Sequence, residues 1–194
     1  EQIVKYGELT LRENQIAYAE PSFFRLFDFE LLKGDKKTCL SMPGQVVITE
    51  RIASKYFKDE DPIGKIFIFT GAYDKISCEV TGVMKEMPSN SHIHYSFLIS
   101  YKSLPKYMQE YWYKHEAYTY VLLDSPERKA EIEREFPVMA EKYKTDEALK
   151  NKTWGVSLIP LADIHLTPQV GYEAETKGNR SSMIALIFAA IAIL

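Results

Sequence analysis

The stretch VVITERIASKYFKDEDPIGKIFIF, residues 46–69, changes its hydrophobic period twice. Val46 to Thr49 is a β-branched run and predicts a strand. Thr49 stands where a helix N-cap would, and Ile52, Ala53, Tyr56 and Phe57 then recur on one helical face. Asp61-Pro62-Ile63-Gly64 has proline and glycine at the positions of a type I turn, and Ile66 to Phe69 returns to strand. A strand, a crossover helix, a turn and a second strand follow one another within one short segment.

The flanks extend this pattern. Residues 3 to 19 alternate and predict a hairpin whose polar connection is Arg12-Glu13-Asn14-Gln15. Pro21 suits a first helical position, with Phe23, Phe24 and Phe27 following at helical spacing. Phe29 to Leu32 reads as a short strand stopped by Gly34 and Asp35, and Asp35 can cap a short helix through Leu40. Beyond the opening stretch, the Gly71–Tyr73 loop leads into a strand from Ile76 to Met84. A loop at Pro88 to Ser91 precedes an extended run from His94 to Ser100. Tyr118 to Leu123 predicts a strand. Ser125-Pro126-Glu127 opens the longest helix, with Ile132, Phe136, Met139, Ala140 and Tyr143 on one face. Pro137 should kink or divide that helix. Trp154 to Leu161 predicts a last strand, and residues 167 to 182 form a polar linker. Hairpins beside single crossover helices place the chain in the α+β class, with mixed β-sheets.

The 194 residues are 46% hydrophobic, 13% aromatic and 26% charged, close to the globular average, which excludes disordered and collagen-like architectures. With 24 basic and 27 acidic residues the net charge is -3, so charge gives no case for nucleic-acid binding. Two cysteines cannot build a disulfide framework or a four-thiolate zinc site. The apolar content is uneven, because residues 183–194 read MIALIFAAIAIL without a polar group. Such a helix would span only roughly 18 Å of the roughly 30 Å of bilayer hydrocarbon. It is apolar on every face and has neither cap nor polar tail. The run therefore reads as the start of a transmembrane helix rather than as a core helix. Glu1 is not an initiator methionine, and no signal segment follows it. The expectation is an extramembrane domain taken from a longer membrane protein.

The search for chemistry identifies no catalytic, cofactor-binding or metal-ligating residue. Gly64-Lys65 is the one Gly-Lys pair; Ile66 follows it and a turn proline precedes it, so it is not a phosphate loop. No glycine-flanked serine elbow and no His-Glu-x-x-His pair occurs. Among His92, His94, His115 and His165, the first two would share a strand face and could hold two corners of a zinc site. No further ligands are identifiable, which favours surface or hydrogen-bonded histidines. Cys39 and Cys78 could bridge in an oxidising compartment or remain two buried thiols, and the sequence leaves this open. Asp59-Glu60-Asp61 lacks the spaced oxygens of a calcium loop and reads as a solvated turn. Tyr107, Tyr111, Trp112 and Tyr113 could form a partner surface or pack between subdomains.

Several short segments together resemble the periplasmic core domain of MacB-like ABC-transporter permeases, which carry an FtsX-like membrane module. They are Ala19-Glu20-Pro21-Ser22-Phe23-Phe24, Phe27-Asp28-Phe29 and Leu31-Leu32-Lys33-Gly34-Asp35. Then come Val47-Ile48-Thr49-Glu50, Ala53-Ser54-Lys55-Tyr56-Phe57 and Asp59-Glu60-Asp61-Pro62-Ile63-Gly64-Lys65. Val80-Thr81-Gly82-Val83, Pro88-Ser89-Asn90-Ser91-His92, the run from Pro160 to Leu166 and Gly178-Asn179 complete the order. Two positions depart from the family pattern. Glu20 replaces the usual Asp, which weakens that cap, and Lys58 follows Phe57 where glycine is common, so the helix should close differently.

The resemblance implies a core domain over residues 1–182 and a transmembrane helix starting at 183–194. It also implies two subdomains, residues 1–32 with 98–175 and an inserted unit at 33–97. The domain would face the periplasm or extracytoplasmic side of the cell inner membrane, between the first and second of four membrane helices. Lys177 and Arg180 ahead of the tail favour the cytoplasmic side, but that rule compares both flanks. The implied function is non-catalytic coupling of ATP-driven membrane-helix movement to export or release of a substrate of antimicrobial, peptide or lipoprotein class. No cofactor is implied. The partners would be an ABC ATPase subunit, a second permease copy, and a periplasmic adaptor or lipoprotein. The competing function is an extracytoplasmic ligand-sensing domain, which requires an apolar pocket with convergent polar groups.

Overall fold

The computed structural model describes residues 1–71, 75–109, 117–144, 147 and 150–166. The chain forms two compact units, Glu1–Tyr111 and Trp112–Leu194. The first is an α+β unit on a mixed sheet. Its strands are β1 (Gln2–Tyr6), β2 (Leu9–Glu13), β3 (Ile16–Ala19), β4 (Leu31–Lys33), β5 (Gln45–Thr49), β6 (Ile66–Thr70), β7 (Lys75–Met84) and β8 (Phe97–Ser100). Helices α1 (Phe23–Leu26) and α2 (Glu50–Phe57) interrupt them, and α3 (Lys106–Gln109) follows β8.

The strand order is β2-β1-β6-β7-β5-β8-β3, with β4 also paired to β7. β5 runs parallel to β7 and β3 parallel to β8, while the other pairs are antiparallel. The sheet runs across the sequence positions 32/33 and 97/98, because β1 bonds to β6 and β8 to β5.

The strands and the helix of the opening stretch fold as their pattern predicts. Thr49 caps α2, its hydroxyl accepting from the Ile52 N–H at 3.4 Å, and Ile52, Tyr56 and Phe57 turn inward. They meet Val4, Val46, Ile48, Phe67, Phe69, Val80, Phe97 and Ile99 in the main core. Phe67 lies at its centre, edge-to-face with Tyr56 at 4.9 Å and with Phe97 at 5.7 Å. The alternate residues of β5 and β8, among them Val47 and Leu98, are equally buried and point to the opposite face.

Several local expectations are corrected. The N-terminal hairpin turns at Gly7-Glu8, joining β1 to β2, and not at residues 12–15. Gly7 has φ 55 at the first loop position, the place glycine takes in a type II′ turn. β3 leaves the hairpin altogether and pairs with β8. The first helix begins at Phe23 rather than Pro21, and the predicted strand at Phe29 starts at Leu31. Asp35 holds turns instead of a helix: its carboxylate accepts from the Lys37 N–H at 2.7 Å and its carbonyl from Cys39 N–H at 2.9 Å. The proline turn is shifted by one residue. The Lys65 N–H donates to Pro62 O at 3.1 Å, and φ 79 at Gly64 makes the turn type II.

In the second unit, α4 (Arg128–Tyr143) runs through Pro137 without a break, and of its predicted face only Ala140 is fully buried. Residues Tyr118–Leu123 and Trp154–Leu161 form no strand, and Leu161 opens a 3-10 helix. The Leu158 N–H donates to the Glu133 carboxylate of α4 at 2.7 Å instead of to a ladder. The predicted loop residues Ala72 and Tyr73, the positions Tyr111, Trp112, Tyr113 and His115, the linker from 167 to 182 and the apolar run Met183–Leu194 lie outside the described residues. Among the described residues, no helix is long and apolar enough to cross a membrane.

The end of α2 supplies a test. Lys58 closes the helix with its N–H bonded to Ser54 O at 3.1 Å, but at φ 55 and ψ -112, a region that glycine tolerates and lysine does not. The helix thus closes with the lysine backbone in a glycine conformation. Lys58→Gly is expected to raise unfolding stability by about 1 kcal/mol, read from urea denaturation midpoints. An unchanged or lowered midpoint would contradict the strain.

Candidate functional site

The residues singled out for chemistry separate in the structure. His94 directs Nε2 to the Pro88 carbonyl at 3.0 Å, and the His92 ring lies 5.7 Å from that of Phe27. Neither histidine is on a strand. Cys39 and Cys78 are buried free thiols, and burial pushes them up to about 11 and about 12. At neutral pH both stay protonated, which makes them weak nucleophiles and weak metal ligands. In the acidic turn, Glu60 pairs with Lys65 at 2.9 Å and Asp61 with Lys33 at 3.0 Å. The hydrogen bonds from these lysines hold both carboxyls below their usual range. Among the described residues, no group of three or more histidine, cysteine or acidic side chains could hold a metal ion. Tyr107 is exposed on α3.

The recurring motif segments instead meet one another. Lys33 and Gly34, at the end of β4, reach two other motifs at once. The Lys33 ammonium pairs with Asp61 of the proline turn. Gly34 lies so near β7 that a Cβ there would sit 2.4 Å from Thr81 O and 3.0 Å from the Gly82 Cα. Its φ of 95 is a second reason for glycine. Gly82 is enclosed too, since a Cβ there would meet Val47, Lys33 O and Leu31 at 3.1–3.3 Å. The Thr81 hydroxyl donates to Cys39 O at 2.6 Å, fastening the Asp35–Leu40 turns to β7. Phe29 stacks with Phe23 and Phe27 at 5.7 and 6.0 Å between centroids, Phe23 meets Phe27 tilted at 5.1 Å, and Phe27 joins them to His92 of the loop motif. Asp28, within this group, adopts φ 51 and pairs with Lys36 at 2.8 Å. Glu20 does not cap α1 through its side chain; its carboxylate accepts from the Ser22 hydroxyl at 3.3 Å.

Two polar ties were missed by sequence reasoning. The Glu13 side chain is 11% exposed and accepts from Lys55 Nζ at 2.7 Å and from the Tyr56 hydroxyl at 2.9 Å. Burial together with this carboxylate raises the Tyr56 phenol well above its usual range. Arg51 donates to Ser96 Oγ at 2.7 Å and to Gln15 Oε1 at 3.2 Å, and Ser96 donates to Gln15 at 2.7 Å. Glu13 and Gln15 fell in the segment assigned to a polar connection. A largely buried carboxylate at a strand end has no sequence signature of its own. The polar groups of these motifs and ties hold elements together.

The sheet and its cross-ties define a structural α+β module. A domain assigned to a permease protein from Porphyromonas gingivalis has the same fold, at TM-score 0.60 and 20% identity, covering 76% of this chain and 67% of that one. The chain belongs to the family of MacB-like periplasmic core domains, which matches residues 1–137. It is therefore the periplasmic or extracellular domain of an ABC-type transporter permease, a kind of domain that is typically non-catalytic. The periplasmic region of MacB from Actinobacillus actinomycetemcomitans is similar at 19% identity and TM-score 0.41, over 52% of this chain and 44% of that one. The extracellular domain of the noncanonic ABC-type transporter YknZ from Gram-positive bacteria is similar at 19% identity and TM-score 0.46, over 76% and 73%. Among curated proteins, none matches the sequence.

Two substitutions test the structural role of these contacts. Gly34→Ala forces a methyl group against the Thr81 carbonyl and should cost about 2–4 kcal/mol. Glu13→Ala leaves the Tyr56 hydroxyl without its acceptor and should cost about 1–3 kcal/mol. Both are read as falls in the urea midpoint, and a change below about 0.5 kcal/mol in either would remove the contact from this account.

Proposed function

We propose that the domain is a non-catalytic mechanical coupler, which turns ATP-driven movement of permease helices into export or release of a substrate. It lies outside the cytoplasmic (inner) membrane between the first and second membrane helices, and the tail from Met183 enters the second. ATP is hydrolysed on a separate ATPase subunit or domain. A second permease copy completes the membrane unit, and a periplasmic adaptor or lipoprotein is the extracytoplasmic partner. Antimicrobial, peptide or lipoprotein cargo fits this role.

The observation that carries the reading is the setting of β1. This first strand is bonded along both edges, to β2 over Gln2–Tyr6 and to β6 over Ile3–Lys5, and Val4 is fully buried between them. On this reading the first membrane helix joins the chain ahead of β1. A pull along the strand then loads two antiparallel ladders in shear, so that several hydrogen bonds resist together. The Glu13 and Gln15 ties pass that load to α2 and to the start of β8.

The test uses the full-length permease assembled with its ATPase in proteoliposomes. Replacing residues 1–182 by a short Gly-Ser linker should keep ATP hydrolysis within about threefold and abolish export, since remote binding and movement are removed while the ATP site is not. Export that survives the replacement, or nucleotide binding by this domain seen calorimetrically, would overturn the proposal.

A further inference from the structure

The two faces of the β2-β1-β6-β7 half of the sheet differ in what covers them. One is the main core under α2. On the other, residues directly opposite in register share the face. Ile3 lies between Arg12 and Thr70, Thr70 lies beside Lys75, and Lys5 lies beside Ile68. Ile66 continues the stripe, beside Glu79. Ile3 is 42% exposed, Ile66 is 55% exposed and Ile68 is half-buried, so the centre of this face is an apolar stripe in contact with water.

Cations outnumber anions around the stripe. Lys5, Arg12 and Lys75 are cationic, and Glu79 is the one anion on these rows. Arg12 has a long contact to Glu1, at 3.9 Å. Elsewhere in this unit lysines reach carboxylates at 2.7–3.1 Å, as Lys33, Lys36, Lys55, Lys65 and Lys85 do. Among the described residues, neither Lys5 nor Lys75 meets a carboxylate. The chain as a whole carries a net charge of -3, so this local excess of positive charge does not follow from composition.

We infer that the outer face of β2-β1-β6-β7 is a docking surface for an acidic amphipathic helix of a partner protein. Four strands span about 14 Å between outer axes, which accepts one helix of about 10 Å diameter. A helix laid on an open sheet face is the ordinary way of closing such a layer. Its apolar stripe covers Ile3, Ile66 and Ile68, and its acidic flanks meet Lys5, Arg12 and Lys75. Three cations are few for holding a folded domain on an anionic bilayer, where stable attachment needs a second apolar signal that inserts. The surface does not depend on the coupling role.

The probe is a synthetic 18-residue amphipathic helix of glutamate and leucine, titrated into the full 194-residue chain by calorimetry and by amide chemical shifts. Its lysine–leucine counterpart is the control. The acidic peptide should bind with shifts centred on β1 and β6, and affinity should weaken at least tenfold in Lys5→Glu/Lys75→Glu and in Ile66→Asp. Binding should also weaken as salt rises from about 50 to 500 mM. Both variants sit at exposed positions, and their unfolding midpoints are checked. If the double reversal lowers stability, Lys5→Gln/Lys75→Gln should still weaken binding about threefold. No binding of the acidic peptide, equal binding of the basic one, or unchanged affinity in the variants would overturn the inference. Sedimentation of the chain with vesicles of 30% phosphatidylglycerol in phosphatidylcholine, lost on the same reversals, would reassign the face to a membrane. Concentration-dependent dimerisation lost on the same reversals would reassign it to a second copy, and either outcome overturns the acidic partner.

Discussion

Ten residues of β7 must satisfy three neighbours. Lys75 to Glu79 pair with β6, Glu79 to Met84 pair with β5, and Val83 and Met84 also pair with β4. This constraint explains much of what surrounds it. A strand bonded on both edges cannot admit bulk where a third chain crosses, so Gly82 and Gly34 are small. Register shifts fall at Val46/Val47 of β5 and Leu31/Lys33 of β4, where the ladder adjusts. The mixed character of the sheet originates here as well, since β5 is parallel to β7 while β6 is antiparallel to it.

That arrangement also shows how recurring motifs can serve architecture. Lysine and aspartate in Lys33-Gly34-Asp35, the acids of the proline turn, and Thr81 are polar residues of kinds that often mark a site. Lys33 is engaged with Asp61 and Thr81 with the Cys39 carbonyl of other segments, while Glu60 pairs with Lys65 within the proline turn and Asp35 accepts from the nearby Lys37 N–H. The ion pairs are exposed and individually weak, so they set register and approach more than they add stability. Stability comes from the aromatic core around Phe67 and from burial of Ile52, Tyr56 and Phe57.

The parts legible in sequence were those in which local preference and burial agree. Residues 46–69 have a capping threonine and a helical apolar stripe between two strands, and these fold accordingly, while the proline–glycine turn forms one residue later and as type II. The hairpin turn was misread because a glycine followed by glutamate is a weaker signal than four polar residues in a row, yet backbone geometry favoured Gly7. Tyr118 to Leu123 has strand-forming side chains but leaves Leu122 76% exposed, and β-propensity without an edge to pair with does not make a strand. The Glu13 and Arg51 ties join residues far apart in the chain, and no local pattern encodes such meetings.

The pairing of β3 with β8 has a consequence for how the domain forms. The Gln15–Ser96 hydrogen bond beside this pair spans 81 residues, and β1 likewise waits for β6. A chain emerging from its N-terminus makes the β1–β2 hairpin early, but β3 has no strand to join until nearly a hundred residues are available. Loop closure of that length is slow, and the unpaired strands are exposed meanwhile. Assembly of this sheet therefore suits a setting in which folding is completed only after the first hundred residues have crossed the membrane, with β8, the last strand of the first unit, closing it.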